Sequence, residues 1–119
     1  MQYLLLIYDD EKKMAALPEA EQNAIFAAYF EFTKSIKQSG HHRGGDALKP
    51  VSTATSVRVR DGKRLTTDGP FAETREQLGG YYLVEAKDLD EAIGLAARIP
   101  SSRVGTIEVR PIMPTPRPE

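Results

Sequence analysis

Asp68-Gly69-Pro70-Phe71-Ala72-Glu73, with Gln77-Leu78-Gly79-Gly80-Tyr81-Tyr82-Leu83-Val84 close behind, is the stretch on which the reading of this chain turns. It sets a carboxylate, a rigid proline, conformationally free glycines and a large aromatic ring between two segments of strand character. No hydrophobic pattern requires that combination. Loops of such specified chemistry, held between regular elements, are where binding and catalysis concentrate. From Gly80 to Ala86 the sequence reads as a buried strand. Upstream, Asp61-Gly62 is a strong hairpin turn signal between Thr53–Arg60 and Lys63–Thr67. In the first of these, Thr55, Val57 and Val59 alternate with Ser56, Arg58 and Arg60, the pattern of a half-exposed strand.

The flanks complete the element order. Tyr3-Leu4-Leu5-Leu6-Ile7-Tyr8 is apolar without alternation and stops at Asp9-Asp10, as expected of a central strand buried on both faces. A long helix is predicted from Pro18 to Ser39. Proline suits its first turn, Glu19 and Glu21 the start of the dipole, and Lys34 and Lys37 its end. Ile25, Tyr29, Phe32 and Ile36 recur at helical spacing, and Phe26 and Phe30 widen that apolar face. Gly40 fits the position just past the helix. In His41–Lys49, Gly44-Gly45 predicts a bulged strand that Pro50 ends. Asp88-Leu89-Asp90-Glu91 has the form of a capping box, with Leu89, Ala92, Ile93 and Ala96 on one face of a second helix that Pro100 terminates. Thr106–Ile112 alternates as a last strand.

Strand, helix, strand and hairpin, strand, helix, strand is the α+β, ferredoxin-like βαββαβ pattern with an inserted β-hairpin. Residues 1–112 form one domain, and 113–119 form a proline-rich C-terminal tail. Two helices cover one face of such a sheet. Tyr3, Leu5, Ile7, Tyr81 and Leu83 make both faces apolar, so a homodimer pairing sheet against sheet is the expected assembly.

Bulk composition narrows the function classes. The 119 residues carry 16 Lys+Arg and 17 Asp+Glu, a net charge of −1, which offers no footprint for nucleic acid. There are no cysteines, so thiolate catalysis, disulfides and Cys-ligated metals are excluded. No run has transmembrane length, and the N-terminus does not read as a signal peptide. The expectation is a cytoplasmic protein that binds neither membrane nor nucleic acid.

Asp68-Gly69-Pro70-Phe71, Glu73 and Gln77-Leu78-Gly79-Gly80-Tyr81-Tyr82 together resemble the signature of DGPF-domain proteins in the wider YCII-related family. Val57–Lys63 and Ile107–Ile112 are similar to the same family's flanking segments. The resemblance covers nearly the whole chain and implies subunits of the dimeric α/β-barrel type. It also implies, for the wider group, a His–Asp pair with the histidine on the first helix. Pro18–Ser39 holds no histidine, and Tyr29 is its nearest polar aromatic candidate. Only Asp68 carries over, within the matching motif.

Three residues are candidate catalytic groups. Asp68 reads either as a general base or as the acceptor of an Asx-turn over Gly69–Phe71. His41 and His42, the two histidines, must point to opposite faces if the strand is regular, so one would face a pocket and pair with Asp46 or Asp68. The other reading of both is as polar residues after a helix end, where an imidazolium is favourable. Candidate ligand-binding residues are Tyr8, Tyr29, Phe71, Tyr81 and Arg75. The competing fates of these side chains are core, interface or solvated surface. No metal site, cofactor motif or phosphate cradle is expected. The functional expectation is a homodimer with a small-molecule pocket near the Asp68 loop, acting as an acid–base enzyme or, alternatively, as a non-catalytic ligand-binding or regulatory dimer.

Overall fold

Residues 1–116 are described by a computed structural model. The elements are β1 (Gln2–Asp9), α1 (Glu11–Ala15), α2 (Glu19–Gln38), β2 (His42–Ala47), β3 (Thr55–Arg60), β4 (Lys63–Asp68), β5 (Gln77–Glu85), α3 (Leu89–Arg98) and β6 (Thr106–Pro111). Single 3-10 turns lie at Val51–Thr53 and Pro100–Arg103. One sheet has the strand order β2-β5-β1-β6, and β3 pairs with β4 in a separate hairpin. Each neighbouring pair in the four-stranded sheet is antiparallel. β5 therefore lies between β1 and β2, which α2 connects. This is the ferredoxin-like α+β fold, of the subunit type found in dimeric α/β barrels, with the β3–β4 hairpin inserted before β5.

Strand periodicity sorts the side chains. Tyr3, Leu5 and Ile7 of β1 and Tyr82 and Val84 of β5 point to one face, where Phe32 and Ile36 of α2 and Ala92, Leu95 and Ala96 of α3 meet them. Ile99 closes this core. The alternate residues Leu4, Leu6, Tyr8, Tyr81 and Leu83 lie on the other face, where no helix covers them. They are half-buried by their strand neighbours alone.

The caps follow local chemistry. The backbone N–H of Gly40 donates to Lys37 O and that of His41 to Ile36 O, the Schellman pair that ends α2. Asp88 Oδ1 accepts from Glu91 N at 2.9 Å, forming half of the expected capping box. Glu91 Oε1 turns to Lys87 N, at 3.2 Å, rather than to the cap residue. Asp61 and Gly62 both have positive φ, 52° and 73°, as a tight hairpin turn demands. The bulge expected in β2 falls at Arg43, between the His42 and Gly44 pairings, and a second one sets Gly79 opposite the Ile7/Tyr8 step.

Four features differ from the sequence expectations. Phe26 and Phe30 are 69 % and 71 % exposed, because the core-facing stripe of α2 is narrow and centred on Phe32 and Ile36. α3 is rotated so that Leu95 is buried while Leu89 and Ile93 are half-exposed. α1 was not foreseen; Asp10 caps it, its side chain accepting from Lys12 N and Lys13 N. The β3–β4 hairpin is far more exposed than a half-buried strand. Of the tail, Met113–Pro116 is exposed and outside regular structure, and residues 117–119 lie outside the described residues.

Candidate functional site

Among the described residues Ser101 is the buried polar side chain. It is 2 % exposed, in the 3-10 turn Pro100–Arg103 that Pro100 starts after α3. The turn is held by Gly105 N–H donating to Ser101 O at 2.7 Å. Gly105 itself lies flat against β1, and a Cβ there would sit 2.1 Å from the Tyr8 carbonyl oxygen. Only glycine lets the turn approach so closely. Gly105→Ala is therefore expected to cost about 1–3 kcal/mol through overpacking, read as a lower denaturation midpoint. An unchanged midpoint would show that the turn is not pinned to β1.

That approach brings Ser101 to Asp9, the last residue of β1. Tyr29 of α2 completes the cluster, its Oη 2.6 Å from Ser101 Oγ. Ser101 Oγ donates to Asp9 Oδ2 at 3.4 Å. The three groups come from three elements spread along the chain. Asp9 Oδ1 points along Gly79, where even an added Cβ would lie 3.6 Å away, so no side chain at 79 blocks it. Burial raises the Asp9 carboxyl above the ordinary carboxylate range. The Ser101 hydroxyl opposes this, and the neighbouring charges of Glu11, Glu76 and Asp10 add to the rise. Burial likewise raises the Tyr29 hydroxyl.

Asp9, Tyr29 and Ser101 lie at one end of a cavity of about 480 Å³ between α2 and the β2–β5 side of the sheet. Ile25, Phe26 and Met14 provide apolar wall, and Thr33, Lys37 and His42 line the other end. Thr33 Oγ1 and Tyr82 Oη are 2.7 Å apart and fix that end. His42 stands edge-on to the Tyr82 ring, centroids 6.3 Å apart. Its imidazole is pushed below the usual range by burial first, then by Lys37 and Arg43. The shift favours the neutral imidazole. A mostly apolar cavity of this size with a few convergent polar groups has the form of a small-molecule site.

The expected catalytic trio does not converge. Only His42 lines this cavity. His41 is held outside it, Nδ1 2.6 Å from Ser39 Oγ and Nε2 3.1 Å from Glu91 Oε1, joining the end of α2 to the start of α3. Asp68 is exposed at the end of β4 and lines no described cavity. The Asx-turn is not formed either: the residue two positions on is Pro70, which has no N–H to donate to the Asp68 carboxylate, and Gly69 N–H donates to Ala54 O at 2.6 Å. Asp46 does not orient His42, because its carboxylate accepts from Tyr81 Oη at 2.7 Å on the opposite sheet face.

The expected binding residues divide between two places. Tyr29 lines the α2 cavity, whereas Tyr81 borders it at β5 with its side chain turned to the uncovered face. Tyr8 and Phe71 line a wider recess of about 950 Å³ at the root of the hairpin. Arg75 is exposed and lines neither. Asp9 and Ser101 were not foreseen. The available signals were an aspartate directly ending an apolar strand and a serine directly after the proline that stops α3. Among the described residues no group of three or more His, Asp or Glu side chains is placed to hold a metal ion, and no helix is long and apolar enough to cross a membrane.

The YCII-related domain family matches residues 1–116 of this sequence. The chain belongs to the YCII-related family. An uncharacterised protein of Rhizobium meliloti (strain 1021) is 32 % identical over 114 residues, covering 94 % of this chain and 92 % of the relative. Among solved structures, the YCII-related chain is similar to 5-chloro-2-hydroxyhydroquinone dehydrochlorinase from Burkholderia phenoliruptrix AC1100, in complex with 2,5-dihydroxybenzoquinone. That likeness has a TM-score of 0.56 at 13 % identity and covers 95 % of this chain and 94 % of the other. At that identity it carries the fold alone.

Proposed function

We propose that this protein is an acid–base enzyme for a compact, largely apolar substrate carrying one acidic C–H or O–H beside a carbonyl, and that it acts as a homodimer. The observation that carries the reading is the Asp9–Ser101–Tyr29 cluster at the end of the α2 cavity. A carboxylate whose proton affinity is raised by burial is a stronger base than a solvated one. Asp9 Oδ1 takes the substrate proton, and the electron pair stays on the substrate as an enolate or phenolate. Ser101 holds Oδ2 and Tyr29 holds Ser101, so the base keeps one orientation. His42 and Lys37, which line the other end, would stabilise the developing negative charge by donating hydrogen bonds to it. Asp9 then returns the proton to the product. A dehydrochlorinase of the same fold, bound to a small hydroxylated quinone, supports the scaffold's suitability for ligands of this size.

The homodimer follows from the uncovered sheet face. Leu4, Leu6, Tyr81 and Leu83 form an apolar surface that a second copy would shield.

A thermal-shift screen of small carbonyl and phenolic metabolites, with mass spectrometry of each hit, tests the reading. A hit that is converted during incubation is expected. Hits recovered intact without exception would establish a binding protein instead. Ser101→Ala adds a sharper check. The Ser101 hydroxyl lowers the Asp9 pKa, so its loss raises that pKa further. The acidic limb of the pH–rate profile is expected to move to higher pH in the variant; an unmoved limb would remove Asp9 from the titration.

A further inference from the structure

Val57, Val59 and Leu65, the large apolar side chains of the β3–β4 hairpin, are 59 %, 60 % and 49 % exposed. The hairpin pairs in full register from Thr55↔Asp68 to Arg60↔Lys63, yet every residue in it except Ser56 is exposed. An isolated two-stranded hairpin is marginal in water. Phe71, just past it, is 82 % exposed.

We propose that this hairpin is an intersubunit clasp, lying against the rim of the uncovered sheet face of a second copy and receiving that copy's hairpin in return. The proposal rests on the homodimer advanced above and adds a specific contact to it. Three observations select a second copy as the occupant.

The first is charge. The hairpin carries Arg58, Arg60, Lys63 and Arg64 against Asp61 and Asp68. By strand register the uncovered face of the sheet carries Asp46 and Glu108 against Arg110, with Glu85 on the same face already paired to the Met1 ammonium. Among the described residues the ion pairs are Met1–Glu85 and His41–Glu91, and neither involves the hairpin. Opposite charges that do not meet within one chain meet across a two-fold interface, where each copy offers the same patch.

The second is area. The surface is 8937 Å² for a 13.2 kDa chain, roughly 2500 Å² above the roughly 6400 Å² of a compact monomer of that mass. The exposed Met113–Pro116 stretch supplies part of the excess. The remainder is of the order that obligate homodimers bury. The radius of gyration is 16.6 Å, against about 13.5 Å for a compact chain of this length.

The third is continuity and reach. The recess at the hairpin root is floored by Tyr8 and Leu78, which continue the uncovered face, and walled by Pro70 and Phe71. Strands of six residues reach about 20 Å, enough to cross the roughly 15 Å between the outer strands of a four-stranded sheet.

Val57→Asp combined with Val59→Asp in the full chain tests the clasp, with sedimentation velocity over a concentration series and circular dichroism. The expected result is a dimer dissociation constant at least tenfold weaker, with an unchanged far-ultraviolet spectrum. A dissociation constant within twofold of that of the unaltered chain would overturn the clasp and leave the dimer standing. A lost spectrum would also overturn it, since the hairpin would then be part of its own subunit's core. A nitroxide on Thr66→Cys, clean because the chain has no other cysteine, should be immobilised in the dimer. A freely tumbling label would count against the clasp. If the unaltered chain is monomeric throughout, both the clasp and the dimer fall.

Discussion

Asp9→Asn is expected to reduce turnover by about 10²–10⁴-fold, the usual contribution of a positioned acid–base group, while ligand affinity stays within a few-fold. The amide keeps the shape and the contact with Ser101 but cannot take a proton. Steady-state kinetics and calorimetry on one converted hit measure the two effects separately. Loss of affinity with intact turnover would reassign Asp9 to binding. The pH dependence is fixed in sign. Asp9 works as the carboxylate, so the rate rises with pH through its raised pKa, placing the acidic limb above the ordinary carboxylate range. Stability runs the other way. A raised folded-state pKa means that the folded chain holds the proton more tightly than the unfolded chain. The charged carboxylate therefore costs stability, a cost absent below the unfolded pKa and complete once the pH exceeds the folded one. Asp9→Asn is thus expected to unfold at a higher temperature than the unaltered chain at pH 7, and to lose that advantage at low pH. A base kept at the expense of stability is the signature of a functional group rather than a structural one.

Leu6→Arg is the second large effect. Leu6 faces Tyr81 and Glu108 across the register, in the middle of the uncovered face. In a lone subunit an arginine there reaches water easily, so folding should be little affected. In a sheet-to-sheet dimer the same charge is taken out of water together with its cross-strand neighbour Glu108, and desolvating the two costs several kcal/mol, enough to weaken association a hundredfold or more. Light scattering at micromolar concentration is expected to show a dimer for the unaltered chain and a monomer for the variant. A variant that still dimerises would place the interface elsewhere.

The fold was legible in the sequence because its strongest signals are local. The unbroken Tyr3–Tyr8 run, the Ile25–Ile36 spacing and the Asp61-Gly62 turn each name an element without reference to the rest. The short α1 was not legible, since five residues carry no helical period. Phe26 and Phe30 widen the apolar face in the sequence yet stay exposed, because amphipathic spacing gives the width of an apolar stripe but not how much of it a two-helix layer covers. Asp68 drew attention through its neighbours' turn chemistry, which the structure uses to shape the hairpin root. Asp9 looked like strand punctuation. Its role depends on Ser101, 92 positions away, and that meeting is set by the close approach of Gly105 to β1. Pairwise geometry of this kind has no period and no motif.

The most direct measurement of the central claim is a crystal structure of the protein soaked with a converted hit or its unreactive analogue. The account predicts ligand in the cavity beneath α2, its acidic C–H or O–H within hydrogen-bonding reach of Asp9 and its carbonyl toward His42 and Lys37. Ligand seated instead in the hairpin-root recess, between Tyr8 and Phe71 and away from Asp9, would contradict it.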